Sequence, residues 1–103
     1  MQELTTELMD EKLQSGEPFV VDYYADWCEA CVEMLPLVSE IAGENPTINF
    51  YKVNVDDNPE LKERARIKAI PMLMMYKDGR AKEFLYGINE KEKIEKKLRR
   101  IGG

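Results

Sequence analysis

The 103-residue sequence contains no histidine and only two cysteines. A structural zinc site usually takes four Cys or His ligands, so this chain could form one only by sharing it with a second chain or by adding carboxylates. The absence of histidine also removes the usual general base of a Cys–His nucleophile. We therefore expect no metal, and proton transfer has to use a carboxylate, a lysine or water.

The sequence also lacks a long apolar run. No segment approaches the ~18 consecutive apolar residues of a membrane span. Residues 1–7 carry no basic side chain and lead into no apolar stretch of the kind found in signal peptides. We expect a cytoplasmic protein with no membrane partner. In that reducing compartment the two cysteines are not expected to form a structural disulfide, which favours a chemical role for them.

Negative charge predominates, because 20 acidic residues outnumber 15 basic ones and give a net charge of −5. This excess argues against nucleic acids and anionic lipids as partners. Hydrophobic residues make up 44% of the chain, which is enough for one core. We therefore predict a single domain over residues 1–103, and we expect it to be a monomer.

The two cysteines that are present, Cys28 and Cys31, stand three positions apart, shortly after the β-rich run Phe19–Tyr24. If Cys28 opens a helix, Cys31 lies one turn on, with the Cβ atoms roughly 5–6 Å apart. A disulfide closes over that distance with little backbone movement. A strand, a Cys-x-x-Cys and a helix together favour thiol–disulfide exchange over the alternative of two small buried hydrophobic side chains.

The expected helix gives the two thiols different roles. The N-terminus of a helix carries partial positive charge and unpaired N–H groups, which stabilise a thiolate at Cys28. Cys28 is therefore the candidate nucleophile. Cys31 lies one turn further in and is expected to be less exposed, which suits a resolving thiol.

Asp22 interrupts the apolar run before the cysteines. Side chains alternate along a strand, so Asp22 shares a face with Val20 and Tyr24. A carboxyl buried there has a raised pKa and can exchange a proton at neutral pH, as thiol chemistry requires. The alternative is a strand register that turns Asp22 to solvent. We favour burial, because aspartate is depleted in strands unless a specific role retains it there.

Apolar spacing and turn signals predict alternating helices and strands. Helices are predicted over 6–15, from 28 to about 42, over 59–66 and from 90 to about 101, and strands over 19–24, 48–55, 72–77 and 81–86. Parallel strands joined by right-handed crossovers, with a hairpin at Asp78-Gly79, give an α/β fold with a mixed sheet and helices on both faces.

The second helix and the last one carry specific expectations. The apolar stripe of the second helix is predicted at Cys31, Leu35, Val38 and Ala42. Its end is predicted at Gly43, and Pro36 is expected to kink it. Asn89 is predicted to cap the last helix.

Two further positions are ambiguous from composition alone. Ile70-Pro71 precedes an apolar strand, and a cis bond there is feasible without being required. Trp27 fits a core tryptophan and a half-exposed lid beside Cys28 equally well.

In their order, these features resemble the thioredoxin family over nearly the whole chain. Each match is weak alone, but the ordered set is specific. The matching positions are the strand and cysteine motif from Val21 to Cys31, Pro36, the strand and turn Lys52–Asp56 with Asn58-Pro59, the loop Ile70-Pro71, the turn Lys77-Asp78-Gly79, and Gly87. The resemblance implies the thioredoxin fold, a central mixed sheet flanked on both faces by about four helices.

The resemblance also implies an activity, that of a protein-disulfide reductase in electron transport and cell redox homeostasis. Cys28 would attack a client disulfide, and Cys31 would resolve the mixed disulfide. Asp22, tuned by Lys52, would manage the proton of Cys31. Pro71 would be cis, and the backbone beside it would align the substrate.

Further expectations concern the groove and the partners. The implied substrate groove consists of Trp27, Ile70, Pro71, Met72 and Gly87. The implied partners are a thioredoxin reductase of unknown type and client proteins with disulfides. No cofactor is expected beyond the chain's own redox-active disulfide.

The sequence departs from the family pattern at the site. Glu29-Ala30 replaces the usual Gly-Pro between the cysteines, Val32 replaces a basic residue, and Met72 replaces a common Thr. Glu29 places negative charge beside Cys28, which favours a more reducing pair. Ala30 replaces a proline that stiffens the turn, and the direction of that effect on the potential is left open.

The acidic residues Asp26, Glu29 and Glu33 predict partners with basic rims and poor turnover by an ordinary NADPH-dependent reductase. A specialised member served by a dedicated non-NADPH reductase is therefore one alternative function. An oxidase or isomerase is another, and a non-catalytic scaffold is the least favoured.

Overall fold

The computed structural model describes residues 1–102. The strands are β1 (Gln2–Glu3), β2 (Phe19–Tyr24), β3 (Asn49–Asn54), β4 (Met72–Lys77) and β5 (Arg80–Tyr86). The helices of this part of the chain are α1 (Thr6–Ser15), α2 (Glu29–Glu44), α3 (Pro59–Arg64) and α4 (Lys91–Arg99). The predicted alternation of helices and strands is confirmed, with boundaries that differ by a few residues.

The five strands form one mixed sheet in the order β1-β3-β2-β4-β5. β3 is parallel to both β1 and β2, whereas β4 is antiparallel to β2 and β5. The sequence missed β1, which is only two exposed residues long. Its place is fixed by pairing with β3 and by the Leu4 N–H, which donates to the Lys52 carbonyl at 3.0 Å.

Two apolar layers cover the two faces of the sheet. On one face Met9 of α1 and Leu61 of α3 pack with Val21 of β2. On the other face Ile41 of α2 and Ile94 of α4 pack with Val20 of the same strand. The sheet therefore has helices on both faces, as predicted, and β2 contributes to both layers.

The buried stripe of α2 differs from the predicted one. Its buried residues are Cys31, Met34, Val38 and Ile41. Leu35 is 36% exposed and Ala42 is only partly buried. With 3.6 residues per turn, positions 34 and 35 lie on either side of Cys31 when the helix is viewed along its axis. The apolar spacing alone therefore did not show which of the two is buried. Pro36 lies inside α2, and the kink expected there stays a prediction.

Two predicted helix boundaries were wrong. Gly43 lies inside α2, which ends at Glu44, and the Asn45 side chain donates to the Ile41 carbonyl at 2.8 Å. Asn89 does not cap α4, because the capping position is Glu90. The Asn89 amide instead donates to the carbonyls of Tyr86 and Gly87. Both asparagines satisfy carbonyls of the segment that precedes them.

No helix within residues 1–102 has both the length and the apolar character needed to cross a bilayer. The single domain and the monomeric state stay predictions.

A buried pair of tyrosines joins β2 to β4 inside the first apolar layer. The hydroxyl oxygens of Tyr23 and Tyr76 are 2.9 Å apart, and Tyr23 has no exposed surface. Tyr76 also stacks on Phe19, with ring centroids 4.7 Å apart. The hydrogen bond thus satisfies a hydroxyl that water does not reach.

We predict that Tyr76→Phe lowers the free energy of unfolding by about 1–3 kcal/mol, because it leaves the buried Tyr23 hydroxyl without its partner. Urea denaturation of the variant and the parent protein measures the difference. The double variant Tyr23→Phe/Tyr76→Phe is the control, and it should recover part of the loss, since both polar groups are then removed. A double variant that loses the sum of both single effects would contradict this account.

Candidate active site

The turn between β2 and α2 places Cys28 at the N-terminus of α2. The Cys28 N–H donates to the Ala25 carbonyl at 3.2 Å, which tightens the turn. Cys28 is the N-cap residue, and its sulfur accepts a hydrogen bond from the Cys31 N–H at 3.2 Å. The Cys28 carbonyl accepts from the Val32 N–H at 3.1 Å. The sulfur therefore lies at the positive end of the helix dipole, where a thiolate is stabilised.

Cys28 and Cys31 are joined by a disulfide, with their Cα atoms 5.2 Å apart. This is the oxidised form of the pair. Cys28 is 7% exposed and Cys31 is 4% exposed. The order agrees with the prediction that Cys31 is the less exposed of the two, although the difference is small.

Asp22 is buried in the middle of β2, as predicted, with 3% of its surface exposed. It shares a cavity of about 100 Å³ with Cys31, and the other lining residues are Tyr24, Ala25, Asp26, Val32 and Leu35. Burial raises the pKa of Asp22 from 3.8 to about 6, because the charged carboxylate is removed from water. The group can thus change protonation state close to neutral pH.

Lys52 lies on β3, directly beside Asp22 in the strand register. Its positive charge opposes the effect of burial and lowers the pKa of Asp22, but burial is the larger influence. Within residues 1–102 the two side chains form no salt bridge. The Lys52 ammonium instead lies 5.8 Å from the centre of the Tyr24 ring. Lys52 therefore acts on Asp22 through space.

Trp27 is a surface residue, which resolves the ambiguity of the sequence in favour of a position beside the cysteines. Its side chain is 70% exposed. The indole N–H donates to a carboxylate oxygen of Asp56 at 2.8 Å. This contact joins residues 29 positions apart, and no local sequence signal announces it. It orients the exposed ring next to Cys28.

The Ile70–Pro71 peptide bond is cis, as the resemblance implied. The Gly87 N–H donates to the Pro71 carbonyl at 2.8 Å and joins the loop to the end of β5. Gly87 has a φ of 78°, which glycine adopts at little cost. Met72 begins β4, is partly buried, and pairs with Tyr86.

An open cavity of about 240 Å³ adjoins this loop. Its lining residues are Trp27, Val55, Asp56, Lys62, Ile67, Lys68, Ala69, Ile70 and Tyr86. Of the predicted groove residues, Trp27 and Ile70 line the cavity. Pro71, Met72 and Gly87 connect to it through their neighbours Ile70 and Tyr86. Tyr86 is 60% exposed and was missed, although its alternation with the buried Leu85 was a signal for it.

Three carboxylates make the α2 side of the site acidic. Asp26, Glu29 and Glu33 are all exposed, and Glu29 is the first residue of α2, next to Cys28. Negative charge at the first turn competes with the thiolate for the helix dipole. Within residues 1–102 no group of three or more His, Cys, Asp or Glu side chains is placed to hold a metal ion. That the chain needs no cofactor stays a prediction.

Comparison with known proteins identifies the family of this arrangement. The thioredoxin family model matches residues 1–100. The chain is 35% identical over 96 residues to a thioredoxin of Alicyclobacillus acidocaldarius subsp. acidocaldarius, covering 92% of this chain and 91% of that protein.

Solved structures of similar proteins support the same family. A Fasciola hepatica thioredoxin superposes with a TM-score of 0.89 at 31% identity, covering 98% of this chain and 99% of that one. A chain from a study of the thiol resolving mechanism in yeast mitochondrial 1-Cys peroxiredoxin via glutathione/thioredoxin systems has a TM-score of 0.87 at 25% identity, with 97% and 94% covered. The chain belongs to the thioredoxin family, and with its Cys28–Cys31 pair it is a thiol–disulfide reductase.

Proposed function

We propose that Cys28 is the nucleophile and Cys31 the resolving thiol of a protein-disulfide reductase. The observation that carries this assignment is the position of the Cys28 sulfur at the N-cap of α2, where it accepts the Cys31 N–H. A thiolate at that atom gains from the helix dipole and from the hydrogen bond. The thiol of Cys31, one turn into the helix, lacks the cap position.

The reaction proceeds in two exchanges. In the reduced protein the Cys28 thiolate attacks one sulfur of a client disulfide, forms a mixed disulfide and releases the other client sulfur as a thiolate. The Cys31 thiolate then attacks the Cys28 sulfur, closes the Cys28–Cys31 disulfide and releases the second client sulfur. Two electrons pass to the client, and each released thiolate takes up a proton.

Asp22 is the group that accepts the proton of Cys31 in the second exchange. Both residues line the same small cavity, and Asp22 has a pKa of about 6. A base with such a pKa is largely ionised at neutral pH, yet it takes up a proton readily. Lys52 tunes this balance by keeping the pKa of Asp22 below the value that burial alone would produce.

The client segment lies along the cis loop in this proposal. Within residues 1–102 neither the N–H nor the carbonyl of Ile70 takes part in a backbone hydrogen bond. An extended client segment can pair with these groups as one strand pairs with another. Trp27, Ile70, Pro71, Met72 and Gly87 form the surface that receives it.

The partners we propose are client proteins with disulfides and a thioredoxin reductase that recharges the pair. The similar chain studied with a peroxiredoxin supports a peroxidase of that kind as one class of client. The acidic residues Asp26, Glu29 and Glu33 favour a reductase with a basic rim, and a dedicated reductase not driven by NADPH is the alternative they support.

We further propose a cytoplasmic monomer that works in electron transport and redox homeostasis with no cofactor beyond its disulfide.

The roles of the cysteines predict opposite results for two variants. Cys31→Ser should retain the attack and accumulate a mixed disulfide with a disulfide-containing client, because the second exchange is lost. Cys28→Ser should form no adduct. Mass spectrometry of the protein after incubation with a disulfide peptide distinguishes the outcomes. An adduct on Cys28→Ser but not on Cys31→Ser would reverse the assignment.

Asp22→Asn should stabilise the protein at neutral pH. The pKa of Asp22 is about 6 in the fold and 3.8 in the unfolded chain, so the folded protein holds an extra proton between these values. The free energy of unfolding therefore falls as the pH rises through this window, and the ionised group costs roughly 3 kcal/mol above it. The variant lacks that cost.

We expect Asp22→Asn to exceed the parent by roughly 3 kcal/mol in urea denaturation above pH 7, with the gain disappearing below about pH 4. Its release of client from the mixed disulfide should slow on the order of 100-fold or more, because the base is missing. Asp26→Asn, an exposed carboxylate of the same cavity, is the control and should change the unfolding free energy by less than about 0.5 kcal/mol. A stabilised variant with an unchanged release rate would remove Asp22 from the mechanism.

Glu29→Gln should make the redox potential about 10–20 mV less negative, because removal of one charge from the first turn of α2 stabilises the thiolate by a fraction of a kcal/mol. Equilibrium titration in dithiol buffers, read by Trp27 fluorescence, gives the midpoint. Glu11→Gln on α1 is the control for a general loss of negative charge. A midpoint well above the cytosolic glutathione poise in the parent protein would favour an oxidase or isomerase.

A further inference from the structure

The cavity beside the cis loop continues into a second one along the end of α3. The second cavity has a volume of about 580 Å³ and is lined by Pro59, Lys62, Glu63, Arg66, Ile67 and Lys68. The two cavities share Lys62, Ile67 and Lys68. We call this continuation the basic groove and define it by Lys62, Arg66, Ile67 and Lys68. Neither cysteine lines it, and it forms no part of the proposed reaction.

The cations of the basic groove have no salt-bridge partner within residues 1–102. Lys62, Arg66 and Lys68 are exposed, and none of them forms a salt bridge within the part of the chain that the structure describes. The two cavities contain the carboxylates of Asp56 and Glu63, and Asp56 is already bound to the Trp27 indole. The groove is therefore locally positive in a chain whose net charge is −5.

Arg66 occupies a backbone conformation that arginine adopts at a cost. Its φ is 56°, in the left-handed region. The Arg66 N–H donates to the Glu63 carbonyl at 3.0 Å, and the Ile67 N–H donates to the Lys62 carbonyl at 3.1 Å. These two bonds make the helix-ending motif in which glycine is the favoured residue. The Arg66 side chain forms no salt bridge within residues 1–102.

We propose that the basic groove binds an acidic segment of the client protein, one that carries Asp or Glu close to the disulfide. The proposal rests on the reductase function and adds a preference among clients. Complementary charge selects such a segment and speeds its association. The apolar side chains of Ile67, Ala69, Ile70 and Tyr86 line the cavity beside the cis loop and receive the apolar side chains between the carboxylates.

The acidic side of the site gives this preference a direction. Asp26 lines the cavity of Asp22, which shares no residue with either of the other two cavities. A client with carboxylates on one flank of its cysteine therefore meets attraction along α3 and repulsion along the start of α2. The charges orient the client as well as attract it.

Two disulfide peptides test the proposal, one with glutamates on a flank of the cysteine and one with glutamines at the same positions. Stopped-flow oxidation of the reduced protein, followed by Trp27 fluorescence, gives a second-order rate constant for each peptide. The parent protein should favour the acidic peptide by about tenfold at low salt, and added salt should shrink the ratio.

Variants of Arg66 distinguish the effect of its side-chain charge from the effect of its backbone conformation. Arg66→Gln should lower the ratio of acidic to neutral rate constants by about two- to fivefold, and Arg66→Lys should preserve it. Arg66→Gly should lower the ratio equally while raising the urea midpoint, because glycine removes the cost of the left-handed conformation. Arg80→Gln, an exposed cation outside both cavities, controls for charge. Asp78→Gly, at the other non-glycine residue with positive φ, controls for backbone relief.

A parent protein that reduces both peptides equally, or a ratio that Arg66→Gln leaves unchanged, would overturn the proposal and leave the reductase function intact. Failure to reduce either peptide would instead overturn the reductase function, on which the proposal rests. A ratio that falls only in Arg66→Gly would attribute the effect to the backbone and also overturn the role of the charge.

Discussion

Burial of β2 is the constraint on which the chemistry of this protein depends. The strand is hydrogen-bonded to β3 on one edge and to β4 on the other, and five of its six residues are buried. Asp22 lies in the middle of it, so its carboxylate loses most of its hydration. Cys28 follows the strand at the start of α2, so the same packed element fixes the sulfur. A change that loosened β2 would affect the proposed proton acceptor and the proposed nucleophile together.

Two opposing electrostatic effects act at each reactive group, and their sizes differ. At Asp22, burial outweighs the charge of Lys52 and leaves the pKa at about 6, an effect worth roughly 3 kcal/mol. At Cys28, the helix dipole and the exposed Glu29 oppose each other with contributions of about 0.3–1 kcal/mol each. Burial of the Asp22 carboxyl is therefore the larger of the two influences, and the surface charges near the Cys28 sulfur contribute the smaller one.

The sequence predicted those parts of the structure that depend on local pattern. The strand before the cysteines, the burial of Asp22 and the helix after Cys28 follow from alternation and spacing. The cis bond before Pro71 followed only from the resemblance. The strand β1, the bond between Trp27 and Asp56 and the place of Tyr86 beside Ile70 could not be predicted, because each depends on how distant segments meet. The predicted apolar stripe of α2 was wrong for a different reason. Met34 and Leu35 are both apolar, so residue type did not show which of them is buried.

The net charge of the chain likewise does not show where the charged side chains lie. A net charge of −5 correctly describes the start of α2, where Asp26, Glu29 and Glu33 are exposed, but it conceals the cations at the end of α3. A partner close to the site responds to charges within about 10 Å, because salt screens those further away. Recognition by a partner therefore depends on the local distribution of charge, and an acidic protein can present a basic surface at the end of α3.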